Sequence, residues 1–396
     1  MIDDDRAALA EAVAANPACP PELLERLGQD DDAWVRGAAA ANPSAPPELL
    51  ERLGEDDDDS VRLAVVGNVM AAPLLVASLA DDESPIVRLA IIGNPRVPTR
   101  LLREWVRSED PDERRAAAGN RACPADLLRQ LASDPDRRAR QVALANPATP
   151  PAALRPSRSL TCNLMVAANP RTSEAVLRGL ARDPYVDVRL AAGNNSGASP
   201  TLLRQLAADD DDYVVAAALS HPRCPIEVLA TASRSDVVLL RAAAAANAHL
   251  PIALSIVFGA DTAPEVRRAV ASQTATVLPA LAGRLAADAE PDVRQALAAN
   301  RRCREPLLGH LARDPEAGVR FAAAGNPNLL PPAMRGLVRD PSARVRAVLA
   351  RAPHLPSDLR QGLADDPDFD VVASVAQAAV EPWLLEELLE DVPPLS

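Results

Sequence analysis

Apolar residues return along this chain in two alternating phrases. The first is built on Val-Arg-x-Ala, as in Val35-Arg36-Gly37-Ala38 and Val61-Arg62-Leu63-Ala64, and its apolar spacing predicts a helix of about two turns. The second is Leu-Leu-x-x-Leu, as in Leu23-Leu24…Leu27, Leu49-Leu50…Leu53 and Leu127-Leu128…Leu131. Steps of three and four residues place those leucines on one face of a helix. An asparagine separates the phrases, often with proline after it, as at Asn16-Pro17, Asn42-Pro43, Asn94-Pro95 and Asn146-Pro147.

Counted on that asparagine, the chain repeats every 26 residues: Asn16, Asn42, Asn68, Asn94, Asn120 and Asn146. A short step of 23 leads to Asn169, and 26-residue steps then reach Asn195, His221, Asn247 and Gln273. A step of 27 gives Asn300, followed by Asn326, Ala352 and Ala378. Of these fifteen anchors eleven are Asn, which chance spacing does not produce. Twelve residues before each anchor stands Asp or Ser (Asp30, Asp56, Asp82, Ser108, Asp134, Asp183), the residue types that cap helices or close Asx and Ser turns. At the anchor itself two properties of Asn are relevant. It tolerates the left-handed conformation at a helix end, and its amide can satisfy backbone groups at a stacked corner. The Leu phrase often opens with Pro-Pro (Pro20-Pro21, Pro46-Pro47, Pro150-Pro151), and proline is favoured at the first helical position.

The pattern predicts an all-α solenoid of about fifteen 26-residue two-helix repeats, α/α or α/3₁₀, in which each unit buries its apolar face only against its neighbours. Along 1–396 it reads as a single repeat solenoid. Residues 1–15 form an N-terminal cap, 16–149 regular repeats and 150–168 an irregular, shortened repeat. Repeats continue over 169–381, and 382–396 form a C-terminal cap. The irregular segments at 150–168 and 273–280 are the places where curvature would change.

Composition agrees: 48% of residues are hydrophobic but only 2% are aromatic. Ala-rich cores suit closely approaching helices, and few strand formers are present. All 42 basic residues are Arg, which with the Ala, Pro and Asp load points to a GC-rich bacterial genome. The net charge of −13 argues against nucleic acid and anionic membrane as partners. The acidic N-terminus lacks a secretory apolar stretch, no apolar run is long enough to span a bilayer, and the cytoplasm is the expected compartment.

The phrase Val-Arg-x-Ala-x-x-x-Asn-Pro-x-x-Pro-Pro-x-Leu-Leu-x-x-Leu, quoted from Val35 to Leu53, resembles the leucine-rich repeat variant family. The resemblance covers essentially the whole chain and implies a right-handed superhelix of alternating α- and 3₁₀-helices without strands. One member of that family carries an iron–sulfur module ahead of its repeats. Such a cluster needs closely spaced cysteines, whereas Cys19, Cys123, Cys224 and Cys303 each fall three residues after an anchor, and Cys162 fills a Val position. These cysteines read as core fillers, and neither cluster nor other cofactor is expected.

Few residues stand out as candidate chemistry. The Arg after the repeat's Val (Arg36, Arg62, Arg88, Arg140, Arg189, Arg241, Arg267, Arg294, Arg320, Arg346) reads as a ladder pairing with turn carboxylates rather than as a stripe for an anionic ligand. Acidic runs such as Asp30–Asp32, Asp56–Asp59 and Asp209–Asp212 share one phase and read as a solvated edge, with a docking strip for a basic partner as the alternative. They lack calcium-loop spacing. His221-x-x-Cys224 offers two metal ligands and no more, so no metal site and no catalytic residues are assigned. Trp105 stands at a Leu position and is expected in the core. Candidate partner contacts are Trp34 and Tyr213, which share a phase eight residues before an anchor, with Asp57, Asp58 and Asp211. The expected function is a non-enzymatic, monomeric protein-interaction scaffold with a protein partner. A redox or metal-associated accessory protein and a HEAT-like lyase-type enzyme are the alternatives.

Overall fold

Both phrases of the repeat form helices. In the computed structural model, which describes residues 2–273, 279–378 and positions 384, 385 and 388, the Val-Arg phrase gives helices such as Ala33–Ala41, Asp59–Gly67 and Pro85–Gly93. The Leu phrase gives Pro21–Leu27, Pro47–Leu53 and Ala125–Leu131, with Pro21 and Pro47 in the first turn as expected. Both halves are therefore α-helical. The 3₁₀ geometry that the resemblance implied is confined, among the described residues, to Leu79–Asp81 and to Pro151–Ala153 in the shortened repeat. No strand occurs among them, and no described helix is long and apolar enough to cross a membrane. Positions 274–278 of the second irregularity lie outside the described residues.

The Leu helices are seven residues long in most repeats. Isolated helices of that length are not stable in water, so the stack holds them. Successive Val-Arg helices pack against one another from Ile2–Ala14 to Arg137–Ala145 and from Leu160–Ala168 to Ala343–Ala350, and the Leu helices lie alongside them. Leu49, Leu50 and Leu53 from one row and Val61, Val65 and Val66 from the other are buried between the rows. Glycine closes some of these corners because the neighbouring repeat reaches in: a Cβ on Gly28 would meet Leu49 Cδ1 at 2.5 Å. The contacts divide the chain into two compact units, Met1–Ala148 with Leu355–Ser396, and Thr149–His354.

The anchor asparagines are buried, apart from the half-buried Asn94, and most carry one hydrogen-bond pattern from repeat to repeat. Asn42 Nδ2 donates to Ala14 O (2.6 Å) and Asn16 O (2.7 Å), while its Oδ1 accepts from Ser44 N (2.7 Å). Asn68, Asn120, Asn195 and Asn326 do the same one repeat further along. The backbone differs from the sequence expectation. Asn42 has φ −64° and ψ 130°, an extended conformation, and no described residue has a positive φ. Asparagine is thus selected for its amide, which satisfies carbonyls at the end of the preceding Val-Arg helix that would otherwise be buried without partners.

His221 shows how specific that demand is. It is buried at an anchor, its Nε2 lies 3.1 Å from Asn195 O, and its Nδ1 accepts from Arg223 N at 3.0 Å. With Nδ1 accepting, the neutral ring donates from Nε2 and copies the asparagine's donor and acceptor. Burial lowers its pKa below the usual histidine value. The unfolded chain therefore takes up the proton first as pH falls. The stability contributed by this residue is full above about pH 6.5 and is lost as pH drops through the folded-state value. We expect His221→Asn to flatten the melting-temperature profile between pH 8 and 5, checked by parallel thermal melts of the two proteins; equal slopes would contradict the assignment.

Most of the arginine column forms the ladder between repeats, while Arg88 and Arg140, followed one repeat on by Ser108 and Ser157 in place of Asp, donate to backbone carbonyls of their own repeat. Arg36 Nε and Nη2 reach the Asp56 carboxylate at 2.8 and 2.9 Å, and Arg36 Nη1 donates to Asp30 O at 2.8 Å. The same bidentate pairing joins Arg62 to Asp82, Arg189 to Asp209, Arg241 to Asp261, Arg294 to Asp314 and Arg320 to Asp340. Arg114, preceded by Glu rather than Val, joins the ladder through Asp134. In the shortened repeat Asn163 takes the arginine's place and donates to Asp183 Oδ2 at 3.0 Å. The receiving Asp also closes an Asx turn, as Asp56 Oδ1 does for Asp58 N (3.0 Å). Helix capping falls two residues later, to Asp32, Asp58, Asp110, Asp136 and Asp211.

Candidate interaction surface

These ladders leave one face of each Val-Arg helix unused. In Ala33–Ala41 the residues Val35, Ala39 and Ala40 are buried and Arg36 serves the ladder, so Trp34, Gly37, Ala38 and Ala41 face outward. The equivalent positions are Ser60, Leu63, Ala64 and Gly67 in the next helix and Ile86, Leu89, Ala90 and Gly93 in the one after. Helical periodicity fixes this face. Trp34 is 72% exposed and Ile86 62% exposed, with Leu63 and Leu89 half-buried between them. A Cβ added at Gly37, Gly67 or Gly93 would meet nothing within 4 Å. Packing therefore does not require glycine there, and the floor between the large side chains is open. The two following helices end the apolar stretch with Asp112 and Arg115, ion-paired at 2.9 Å, and then Arg138.

In the second unit the same helix face carries Tyr213 (66% exposed), Leu239 and Phe321. A groove of about 720 Å³ lies there on a floor of Ala242, Ala246 and Ala296, edged by Glu265, Arg268 and Gln295.

The predicted site residues separate into two groups. Trp34 and Tyr213 project to solvent from the second residue of their helices. Asp58 and Asp211 are helix caps: Asp58 Oδ1 accepts from Ser60 N (2.8 Å) and Ser60 Oγ (2.6 Å), and Asp211 Oδ1 accepts from Tyr213 N (2.9 Å). Asp57 is exposed and offers its backbone oxygen to Arg62 Nη1 at 3.1 Å. The aliphatic members of the face, Leu63, Ile86, Leu89 and Leu239, were missed because aromatic type rather than repeat phase was the criterion. The signal was present, eight and five residues before the anchor. Trp105, expected in the core, is half-buried, while Val106 beside it is buried.

Burial pushes the Cys19 thiol up to about 12 and those of Cys123, Cys224 and Cys303 to about 11. All five cysteines are buried in separate repeats, as core fillers. Among the described residues, no three His, Cys, Asp or Glu side chains gather where a metal ion could be held.

The architecture defines a helical repeat protein whose polar side chains are engaged between neighbouring units. Residues 33–58 match the family model described as leucine rich repeat variant. Among solved structures the chain is similar to a leucine-rich repeat variant described as having a novel repetitive structural motif. The identity is 26%, over 50% of this chain and 80% of that one, with a TM-score of 0.34. It is also similar to yeast importin-beta at 13% identity, over 94% of this chain and 63% of that one, with a TM-score of 0.33. No curated protein matches.

Proposed function

We propose that this chain is a non-catalytic, cytoplasmic protein-interaction scaffold, monomeric until its partner binds, with the exposed face of its Val-Arg helices as the contact. The observation that supports the reading is the apolar shelf of Trp34, Leu63, Ile86 and Leu89, which three successive helices present over glycine and alanine. Large exposed side chains over an open floor are what an inserted partner side chain needs, and aromatic anchors dominate binding energy at protein interfaces. The charge of −13 favours a partner whose apolar contact is flanked by basic residues, and Asp57 lies on the acidic edge available to them. The expected result of immobilising the protein in a lysate of its source organism is a set of retained proteins that is lost with Trp34→Ser/Ile86→Ser, circular dichroism being unchanged. Retention of the same set by the double variant would reject this face as the contact.

A further inference from the structure

The helix Ile2–Ala14 and the leucines Leu384, Leu385 and Leu388 belong to complementary halves of the repeat. Ile2–Ala14 is a helix of the Val-Arg row and is followed by the anchor Asn16. After the last described helix of that row, Phe369–Ala378, come Leu384, Leu385 and Leu388, all buried, in the spacing of a Leu phrase. The helix Ile2–Ala14 packs against Phe369–Ala378 as well as against Ala33–Ala41. The anchor bond identifies the register of that contact. Elsewhere the anchor amide donates to the carbonyl two residues before the preceding anchor, as Asn42 does to Ala14 and Asn68 to Ala40. Asn16 Nδ2 donates to Ala376 O at 2.7 Å, and Ala376 stands two residues before the anchor position Ala378. Asn16 therefore treats the last repeat as its predecessor, across 360 residues of sequence.

This joint differs chemically from the others. Val372 occupies the position, six residues before the anchor, that Arg36, Arg62 and Arg114 fill elsewhere, and Ala10 occupies it in the N-terminal helix. The ladder arginine is thus replaced at both positions, and the contacts described at the joint are the anchor amide, the bond from buried Arg360 Nη1 to Ala378 O (3.1 Å) and apolar packing that includes the fully buried Ala14 and Ala376. Nor does an intervening Leu helix tether the two helices in sequence, as Pro47–Leu53 does between Ala33–Ala41 and Asp59–Gly67. The helix that carries Trp34 is the next one along.

We propose that the contact between Ile2–Ala14 and Phe369–Ala378 is a clasp, a reversible joint that continues the repeat stacking between segments distant in sequence, and which parts before the ladder-bridged joints. Opening it uncovers one side of the helix adjoining the Trp34 shelf, so the clasp sets how firmly the edge of that surface is held. The inference stands on the packing of the termini and is independent of whether the shelf binds a partner.

Native-state hydrogen exchange on the full chain tests it. The amides of Ile2–Ala14 and Phe369–Ala378 are expected to exchange as one cooperative unit, faster than those of Asp59–Gly67. Asn16→Ala should speed exchange in Phe369–Ala378 by about fivefold to tenfold, the equivalent of one lost hydrogen bond. An effect confined to the N-terminal helix and its sequence neighbours would overturn the proposal. A second measurement does not depend on that variant folding. Ala15 and Gln377 are exposed, so Ala15→Cys/Gln377→Cys can be spin-labelled while the native thiols stay buried. A predominant short separation, consistent with helix axes about 10 Å apart plus the label arms, supports the clasp. A distribution lying wholly at long separations rejects it.

Discussion

Asn120→Ala is expected to cost about 2–4 kcal/mol of stability, a large effect for one small side chain, because three backbone partners lose their bond together, one buried and two part-buried, at about 1–3 kcal/mol for a buried group and less where water can enter. Asn120 is fully buried; its Nδ2 donates to Ile92 O (2.7 Å) and Asn94 O (2.8 Å), and its Oδ1 accepts from Ala122 N (2.8 Å). Asn120→Asp should be worse, since a carboxylate oxygen would face two carbonyl oxygens. Asn120→His should be the mildest of the three, because His221 already meets the same requirement with one donor and one acceptor. Guanidinium unfolding followed by circular dichroism checks the order Ala and Asp well below His. A repeat array can lose all-or-none behaviour when one joint is weakened, so a split transition in the Ala variant would also agree. Equal midpoints for Ala and wild type would show that the anchor amide does not hold the stack.

Asp82→Asn is the second large effect, expected at about 2–4 kcal/mol. Arg62 and Asp82 are the most enclosed pair of the ladder, with side chains 8% and 5% exposed. Asp82 Oδ2 and Oδ1 accept from Arg62 Nε (2.8 Å) and Nη2 (3.0 Å). The amide of the variant turns an N–H toward the guanidinium and leaves a buried charge without its counter-charge. Arg62 keeps its bonds to Asp56 O and Asp57 O, which places the expectation toward the lower end. Asp126→Asn, which removes the exposed pair with Arg103 (side chains 50% and 55% exposed), should leave the midpoint unmoved. The bonds from Arg62 hold the Asp82 carboxyl below the ordinary carboxylate range, and Arg36, Arg241 and Arg267 do the same for Asp56, Asp261 and Asp288. With folded pKa values depressed, this stability is full above about pH 4 and disappears as pH falls through the folded values. The gap in melting temperature between wild type and Asp82→Asn should therefore narrow on acidification from pH 7 to pH 3. A gap independent of pH would remove the ion pair as its cause.

The repeat was legible in the sequence because period and residue type agreed: Pro21 and Pro47 open helices, Leu23, Leu24 and Leu27 share a buried face, and Arg36 finds a carboxylate in the next repeat. What was misread followed from choices that local sequence leaves open. Asp30 and Asp32 are both suitable capping residues, and only the helix start at Ala33 shows that Asp32 caps while Asp30 closes the turn and offers its backbone oxygen to Arg36. Asn42 permits a left-handed backbone, yet reaching two carbonyls of the preceding repeat requires an extended one. The candidate surface was half legible. Trp34 and Tyr213 drew notice by type, but Ile86 and Leu239 share their phase and were passed over as ordinary apolar residues. The bond from Asn16 to Ala376 was beyond local reading, since no short-range pattern specifies which end an anchor meets.

The two ladders point in opposite directions along the chain: asparagine reaches back one unit, and arginine reaches forward one. An inserted or deleted block of 26 residues with the full phrase restores every bond at both of its borders, whereas a block of another length must break one set or be absorbed in a turn. Gene duplication and unequal recombination can therefore lengthen or shorten such an array in whole units at little cost to folding, while frame-preserving changes of arbitrary size are filtered out.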